Sequence, residues 1–251
     1  MFTPKTDRVK KLAFLYEDRI EELKNIFDRK TNIYIDWANV LGWQDKLDWH
    51  IDIKRLKQLL DSFESINKVK FYYGTLEGDK KSESFMQEVA KYKYEVTTKP
   101  VKDIPLSIDV SSINEKSPDI LEDFISKPLF EKLDLETIKF LNNKLKELNK
   151  RGIKKIIKRK CNFDVEIGAD MILDYERDRV DNFVLWSGDG DFVDPIRTLN
   201  EKDKKVYIFA TARRVSRELN EVKAPIYDIQ KIRNFICWGR EIPQNIKQKL
   251  S

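Results

Sequence analysis

The chain has 251 residues, which suits one α/β core carrying an insertion better than two full domains. Its 41% hydrophobic, 11% aromatic and 36% charged residues build a buried core under a solvated surface and exclude a disordered chain. No stretch nears the ~20 consecutive apolar residues of a membrane helix, the start MFTPKTDRVKKLAF lacks an apolar signal core, and Cys161 and Cys237 have no paired spacing; a membrane span, a disulfide framework and a structural zinc site are excluded, and a cytoplasmic protein is expected.

In chain order, RVKKLAFLYEDRIEELKNIFDRK predicts one amphipathic helix within a 1–30 extension that packs on the core or on a second copy in a homodimer. NIYID (32–36) predicts a strand closing on an acid, WANVLGWQDKLDWHID a loop, and IKRLKQLLDSF a helix. VKFYYG, KKSESFMQEVAKY and YEVTTKP follow as strand, helix and strand. The stretch 101–157 is punctuated by Pro105, Pro118 and Pro128 and then repeats apolar residues at helical spacing, so it reads as a mostly helical insertion. The alternation resumes with NFDVEIGADMILDYERD (helix), NFVLW running into the loop SGDGDF, PIRTLNEKDK (helix), KVYIFATA (strand), RRVSRELNEV (helix) and APIYDI (strand), ahead of a 237–251 tail. Strands alternating with helices imply right-handed crossovers and a parallel sheet, with segments 31–100 and 158–236 forming the core.

Ligands of open parallel sheets sit outside the carboxyl ends of the strands, and two acidic sets fall there. Asp36 closes the first strand with Asn39 three residues on, while Asp189 and Asp191 flank Gly190 in a tight loop after the strand 183–186. Plainer roles compete: an Asx turn for Asp36, and a helix N-cap for Asp189 with Asp191 lending its charge to the helix dipole. A third set lies in the helix at 162–178, where Asp170 stands among Ile167, Ala169, Met171, Ile172 and Leu173. An acid among such residues is costly unless paired or metal-bound. Asp164 and Asp170 are six residues apart, roughly 240° around a helix, so they do not share a face; Asp164 either precedes the first full turn or caps it. Converging carboxylates suit Mg²⁺ or Mn²⁺, hard cations that activate water and neutralise phosphate charge.

Charge is uneven. From Lys144 to Lys160 there are nine basic residues against the single acid Glu147. Lys154, Lys155, Lys158, Arg159 and Lys160, with Arg213 and Arg214 downstream, are candidates for a phosphate backbone, the plain alternative being a solvated face. Trp37, Trp43 and Trp49 stack bases or anchor a loop. His50, the one histidine, reads as a loop residue rather than a metal ligand or general acid.

The runs IYIDWANV, KCNFDVEIGADM (with Lys160 two residues before Asn162) and VLWSGDGDFVDPI together resemble the NYN domain, in the LabA-like branch of the PIN-like nucleases. The resemblance covers about 31–100 and 158–235. It implies a Rossmann-like PIN/NYN three-layer α/β core with a central parallel sheet and Mg²⁺- or Mn²⁺-dependent phosphodiester hydrolysis, usually of RNA. It makes Asp36, Asp164, Asp170, Asp189 and Asp191 metal ligands and sets Asn39 beside Asp36 to orient water or substrate. Asp164 answers to the acid of the family's lysine-to-aspartate-valine motif, although Cys161, Asn162 and Phe163 lengthen the step. The expected activity is that of a metal-dependent endoribonuclease; the alternative is a catalytically weak nucleic-acid-binding or assembly module. An aspartyl phosphatase at Asp36 is disfavoured, because Ala38 stands where a general acid is needed.

Overall fold

The computed structural model describes residues 1–76, 78–211 and 215–250, apart from the side chains of Asp45 and Lys46. The chain forms two compact units, 1–100 with 161–251, and 101–160. The first contains α1 (Asp7–Leu15), α2 (Glu17–Ile26), β1 (Thr31–Asp36), α3 (Trp37–Leu47), α4 (Ile53–Leu60), β2 (Ile66–Thr75), α5 (Lys80–Lys91) and β3 (Glu95–Pro100). The second contains β4 (Lys102–Ser107), α6 (Lys127–Phe130), α7 (Leu135–Lys150) and β5 (Lys155–Lys160). The chain returns to the first unit through α8 (Asp164–Asp178), β6 (Asn182–Trp186), α9 (Val193–Glu201), β7 (Lys205–Ala210), α10 (Arg217–Asn220), β8 (Ile226–Asp228), α11 (Arg233–Ile236) and α12 (Gln244–Leu250). Among the described residues no helix is long and apolar enough to cross a membrane.

Six strands form one parallel sheet in the order β3-β2-β1-β6-β7-β8. Every residue of β1 and β6 is buried, as befits central strands covered on both faces. From β1 the chain winds outward through β2 and β3; from β6 it winds the other way. The strand order therefore reverses between β1 and β6, which is where an open α/β sheet presents its crevice. Helices cover both faces in three layers. On one face, the α3 residue Trp37 lies 5.0 Å from Phe71 and 5.7 Å from Phe85 of α5, ring centre to ring centre.

On the other face α8 is held by charge. Its acids recur every four residues, a spacing that places them along one helix face. Glu166 pairs with Lys99 at 2.5 Å, Asp170 and Asp174 with Lys70 at 3.2 and 2.8 Å, and Asp178 with Lys68 at 2.6 Å. Tyr72 donates to Asp170 at 2.6 Å, and Tyr34 and Asn32 donate to Asp174 at 2.8 and 3.1 Å. Lys68, Lys70 and Tyr72 are alternate residues of β2, so they share the sheet face on which α8 lies.

Where α8 meets α9, Gly168 is buried and a Cβ added there would stand 2.9 Å from Cγ of Pro195. Gly168→Ala must part the two helices and is expected to cost about 1–3 kcal/mol, read as a lower urea midpoint at unchanged slope. An unmoved midpoint would show that the contact yields freely.

Several expectations are corrected. The N-terminal helix is two, broken at Tyr16, whose backbone (φ −134°, ψ 52°) is not helical; its hydroxyl accepts from Asn234 at 2.7 Å. WANVLGWQDKL is helix rather than loop, because Asp36 caps it and its tryptophans are core. The predicted helix at 213–222 contracts to α10 within the described residues. The inserted unit holds the expected long helix, but also an antiparallel β4–β5 ribbon that takes in Lys158, Arg159 and Lys160.

Candidate metal centre

Because β1 and β6 pair with Ile35 opposite Trp186, the residues that follow, Asp36 and Ser187, emerge together at the switch point. Asp36 is buried and caps α3, accepting the Asn39 N–H at 3.2 Å, and its other oxygen accepts the Ser187 hydroxyl at 3.4 Å. The Oδ1 of Asn39 accepts the Gly188 N–H at 3.2 Å, which ties the β1 end to the loop after β6. That loop turns back on itself: Ser187 Oγ accepts the Asp189 N–H at 3.3 Å, and Asp189 accepts the Asp191 N–H at 3.2 Å. The capping turn expected of Asp189 is thus present.

Asp164 joins them from α8, as the first residue of that helix. Phe163 before it is 2% exposed and packs 5.9 Å from Tyr72, fixing where the helix starts. One carboxylate oxygen from each of Asp164, Asp189 and Asp191 lies within 4.8 Å of the other two. Oxygens at such separations are within the span of a divalent cation with bonds of roughly 2.0–2.6 Å.

The electrostatics set this trio apart from the acids farther along α8. Glu166, Asp170, Asp174 and Asp178 each have a lysine, whereas no Lys or Arg among the described residues pairs with Asp36, Asp164, Asp189 or Asp191. Burial, with the charges of Asp189 and Asp191 working against the hydrogen bond from Asn162, pushes the Asp164 carboxyl up to about 6. Burial also raises Asp36, opposed by the Asn39 N–H and reinforced by Asp189. Asp164 Oδ2 is buried without a hydrogen-bond partner among the described residues. Such a group is satisfied by a cation. An all-oxygen, net-anionic donor set fits Mg²⁺ or Mn²⁺.

A test follows from the raised carboxyl. Folding favours protonated Asp164, so its ionisation destabilises metal-free protein as pH rises from about 4, its unfolded value, through about 6. In chelator, Asp164→Asn should therefore gain on the wild type over that window, in urea unfolding followed from pH 4 to pH 8 by about one-unit steps. A difference between the two proteins that ignores pH would show that repulsion does not govern this carboxyl.

The structure does not bring all the predicted residues together. Asp170 is outside the trio, occupied by Tyr72 and Lys70. Lys155, Lys158, Arg159 and Lys160 are exposed residues of β5, and Lys154 just before it pairs with Asp109 at 2.9 Å. Arg213 and Arg214 lie outside the described residues. Trp37, Trp43 and Trp49 are 3, 4 and 2% exposed, which makes them anchors and removes them as base-stacking surfaces. His50 bonds Glu241 at 2.7 Å and stacks on Trp238, a packing role. Sequence reasoning missed Lys68, Lys70, Tyr72 and Lys99 as partners of α8; the four-residue repeat of acids from Glu166 to Asp178, set against alternate lysines in β2, was the available signal.

The low amplitude and bright protein LabA of Synechococcus elongatus is 36% identical over 77 residues, 31% of this chain. That match spans 40% of LabA's own length. A crystal structure of a Vibrio parahaemolyticus protein of unknown function superposes with a TM-score of 0.51, covering 84% of this chain and 96% of that one at 18% identity, a likeness of fold. The NYN domain matches residues 122–230, a stretch holding Asp164, Asp189 and Asp191 but not Asp36. Over residues 122–230 the chain thus resembles the NYN domain, and of the three acidic motifs those with Asp164 and with Asp189 and Asp191 fall within the match.

Proposed function

We propose that the chain is a metal-dependent nuclease that hydrolyses phosphodiester bonds in nucleic acid, with RNA as the expected substrate. The observation that carries this reading is the trio Asp164, Asp189 and Asp191, converging at the switch point without a lysine or arginine partner among the described residues. These three would hold Mg²⁺ or Mn²⁺. Bound there, the cation supplies an activated water and charge neutralisation at the phosphate. Asp36 adds negative charge from a capped and buried position, and Asn39 keeps the loop after β6 against the end of β1. Asp170 supports the site at one remove, by anchoring α8 to Tyr72 and Lys70 so that Asp164 is presented at the helix start.

The test is cleavage of labelled single-stranded RNA, single-stranded DNA and duplex DNA in Mn²⁺, Mg²⁺ and chelator. Metal-dependent cutting lost in both Asp164→Asn and Asp189→Asn supports the reading. Binding without cutting, indifferent to metal and to both substitutions, would replace it with a binding or assembly module.

A further inference from the structure

The β4–β5 ribbon is exposed along its length except at half-buried Leu106. Its register sets Lys102 opposite Lys160, Ile104 opposite Lys158 and Leu106 opposite Ile156. Opposed residues of an antiparallel pair share a face, and alternate residues share it too. One face thus carries three lysines and no acid, and among the described residues none of Lys102, Lys158 and Lys160 has an ion pair. The opposite face is partly compensated, Arg159 pairing with Asp103 at 3.6 Å. Like charges set directly opposite destabilise a strand pair, so the Lys102–Lys160 juxtaposition is a cost in the free chain that a polyanion relieves.

Shape narrows the polyanion. Strands 102–107 and 155–160 contain no aromatic residue on which unpaired bases could stack. The phosphate backbone of a duplex, by contrast, is gripped by point charges and needs no stacking surface. We infer that the β4–β5 ribbon is a docking arm for the phosphate backbone of paired nucleic acid, gripped by Lys102, Lys158 and Lys160. This deepens the nuclease reading and rests on it for the class of ligand.

Binding is measured on the full chain carrying Asp189→Asn, in chelator, against short duplex DNA, duplex RNA of the same sequence and the unpaired strands, over a series of salt concentrations. Lys102→Gln, Lys158→Gln and Lys160→Gln together are expected to weaken duplex binding about tenfold or more and to lower the log–log salt slope by about 3. The exposed lysines Lys116, Lys127 and Lys132 lie elsewhere in the same unit. Changed together to glutamine, they remove equal charge and should stay within about twofold of the parent. Lys158→Gln alone should lower the slope by about 1, which keeps the question answerable if the ribbon triple misfolds. Unchanged affinity and slope, equal losses in both triples, tighter binding of unpaired strands, or binding of phosphatidylserine vesicles in place of duplex would each overturn the assignment. Because binding is read without turnover, failure of the wild type to cut any of these substrates in metal would sink the nuclease reading while leaving this one standing.

Discussion

In Mn²⁺ or Mg²⁺ below saturation, Asp164→Asn and Asp189→Asn are each expected to reduce cleavage by about a hundredfold or more. A ligated divalent ion contributes several kcal/mol of transition-state charge stabilisation, and about 1.4 kcal/mol is tenfold in rate. Both substitutions keep side-chain size and remove one anionic oxygen from a set whose members lie within 4.8 Å of one another. The two should differ in a second readout. Burial and the neighbouring carboxylates oppose ionisation of Asp164, so its amide should raise the stability of the metal-free protein even as activity falls. Asp189→Asn can still offer an oxygen to the Asp191 N–H and should leave the loop intact. Activity within threefold of wild type for either variant, at equal metal and about equal folding, would remove that residue from the site.

The largest stability effect is expected at Asp174→Ala. Asp174 is 6% and Lys70 11% exposed by side chain, and Asp174 accepts from Lys70, Tyr34 and Asn32. Truncation leaves a buried ammonium with Asp170 alone at 3.2 Å, the Tyr34 hydroxyl without its acceptor and Asn32 with only Asp178 at 3.3 Å. Breaking a buried pair by removing one partner costs about 3–5 kcal/mol, a large part of a total stability of about 5–15. The urea midpoint should fall accordingly. Lys70→Met combined with Asp174→Leu should cost less than Asp174→Ala alone, since no charge is then buried unpaired. If the double change is the worse of the two, the pair contributes net stability. Cleavage per folded molecule should hold in Asp174→Ala at low temperature, which separates this network from the carboxylate trio.

The sheet and its edge were legible because the signals are local. Apolar runs ending in an acid, IYID and VLWSGDGD, mark both the central strands and the loops that follow them. Asp170 shows where local reading stops. An acid among isoleucine, methionine and leucine announces a partner, but whether that partner is a cation or Lys70 depends on a residue 100 positions earlier, on the neighbouring strand. Asp164, the less conspicuous acid, is the one of the two that has no ion pair with a lysine or arginine among the described residues. The helix at Trp37 was hidden for a related reason: its apolar residues face Phe71 and Phe85, and those contacts exist only once β2 and α5 are in place. The ribbon was hidden because a basic run looks the same on a helix as on a strand until its partner, KDIPLS, is known.

That ribbon also bears on how the chain is put together. Lys102 and Lys160 are cross-strand neighbours, so the segment between them departs and comes back at one spot, its ends separated by the roughly 5 Å of a ladder rung. For the polymer statistics of the sheet, the stretch from Pro100 to Cys161 then behaves as a tether of a few links rather than of some sixty. Once the ribbon zips, the loop that must close to bring β1 beside β6 is shortened by the inserted unit, and because closure entropy grows only as the logarithm of length the insertion adds about 0.5 kcal/mol at most to that encounter. A graft of this kind is nearly silent to its host, and lineages could lengthen, trim or replace what lies beyond the ribbon without renegotiating how the two central strands find each other.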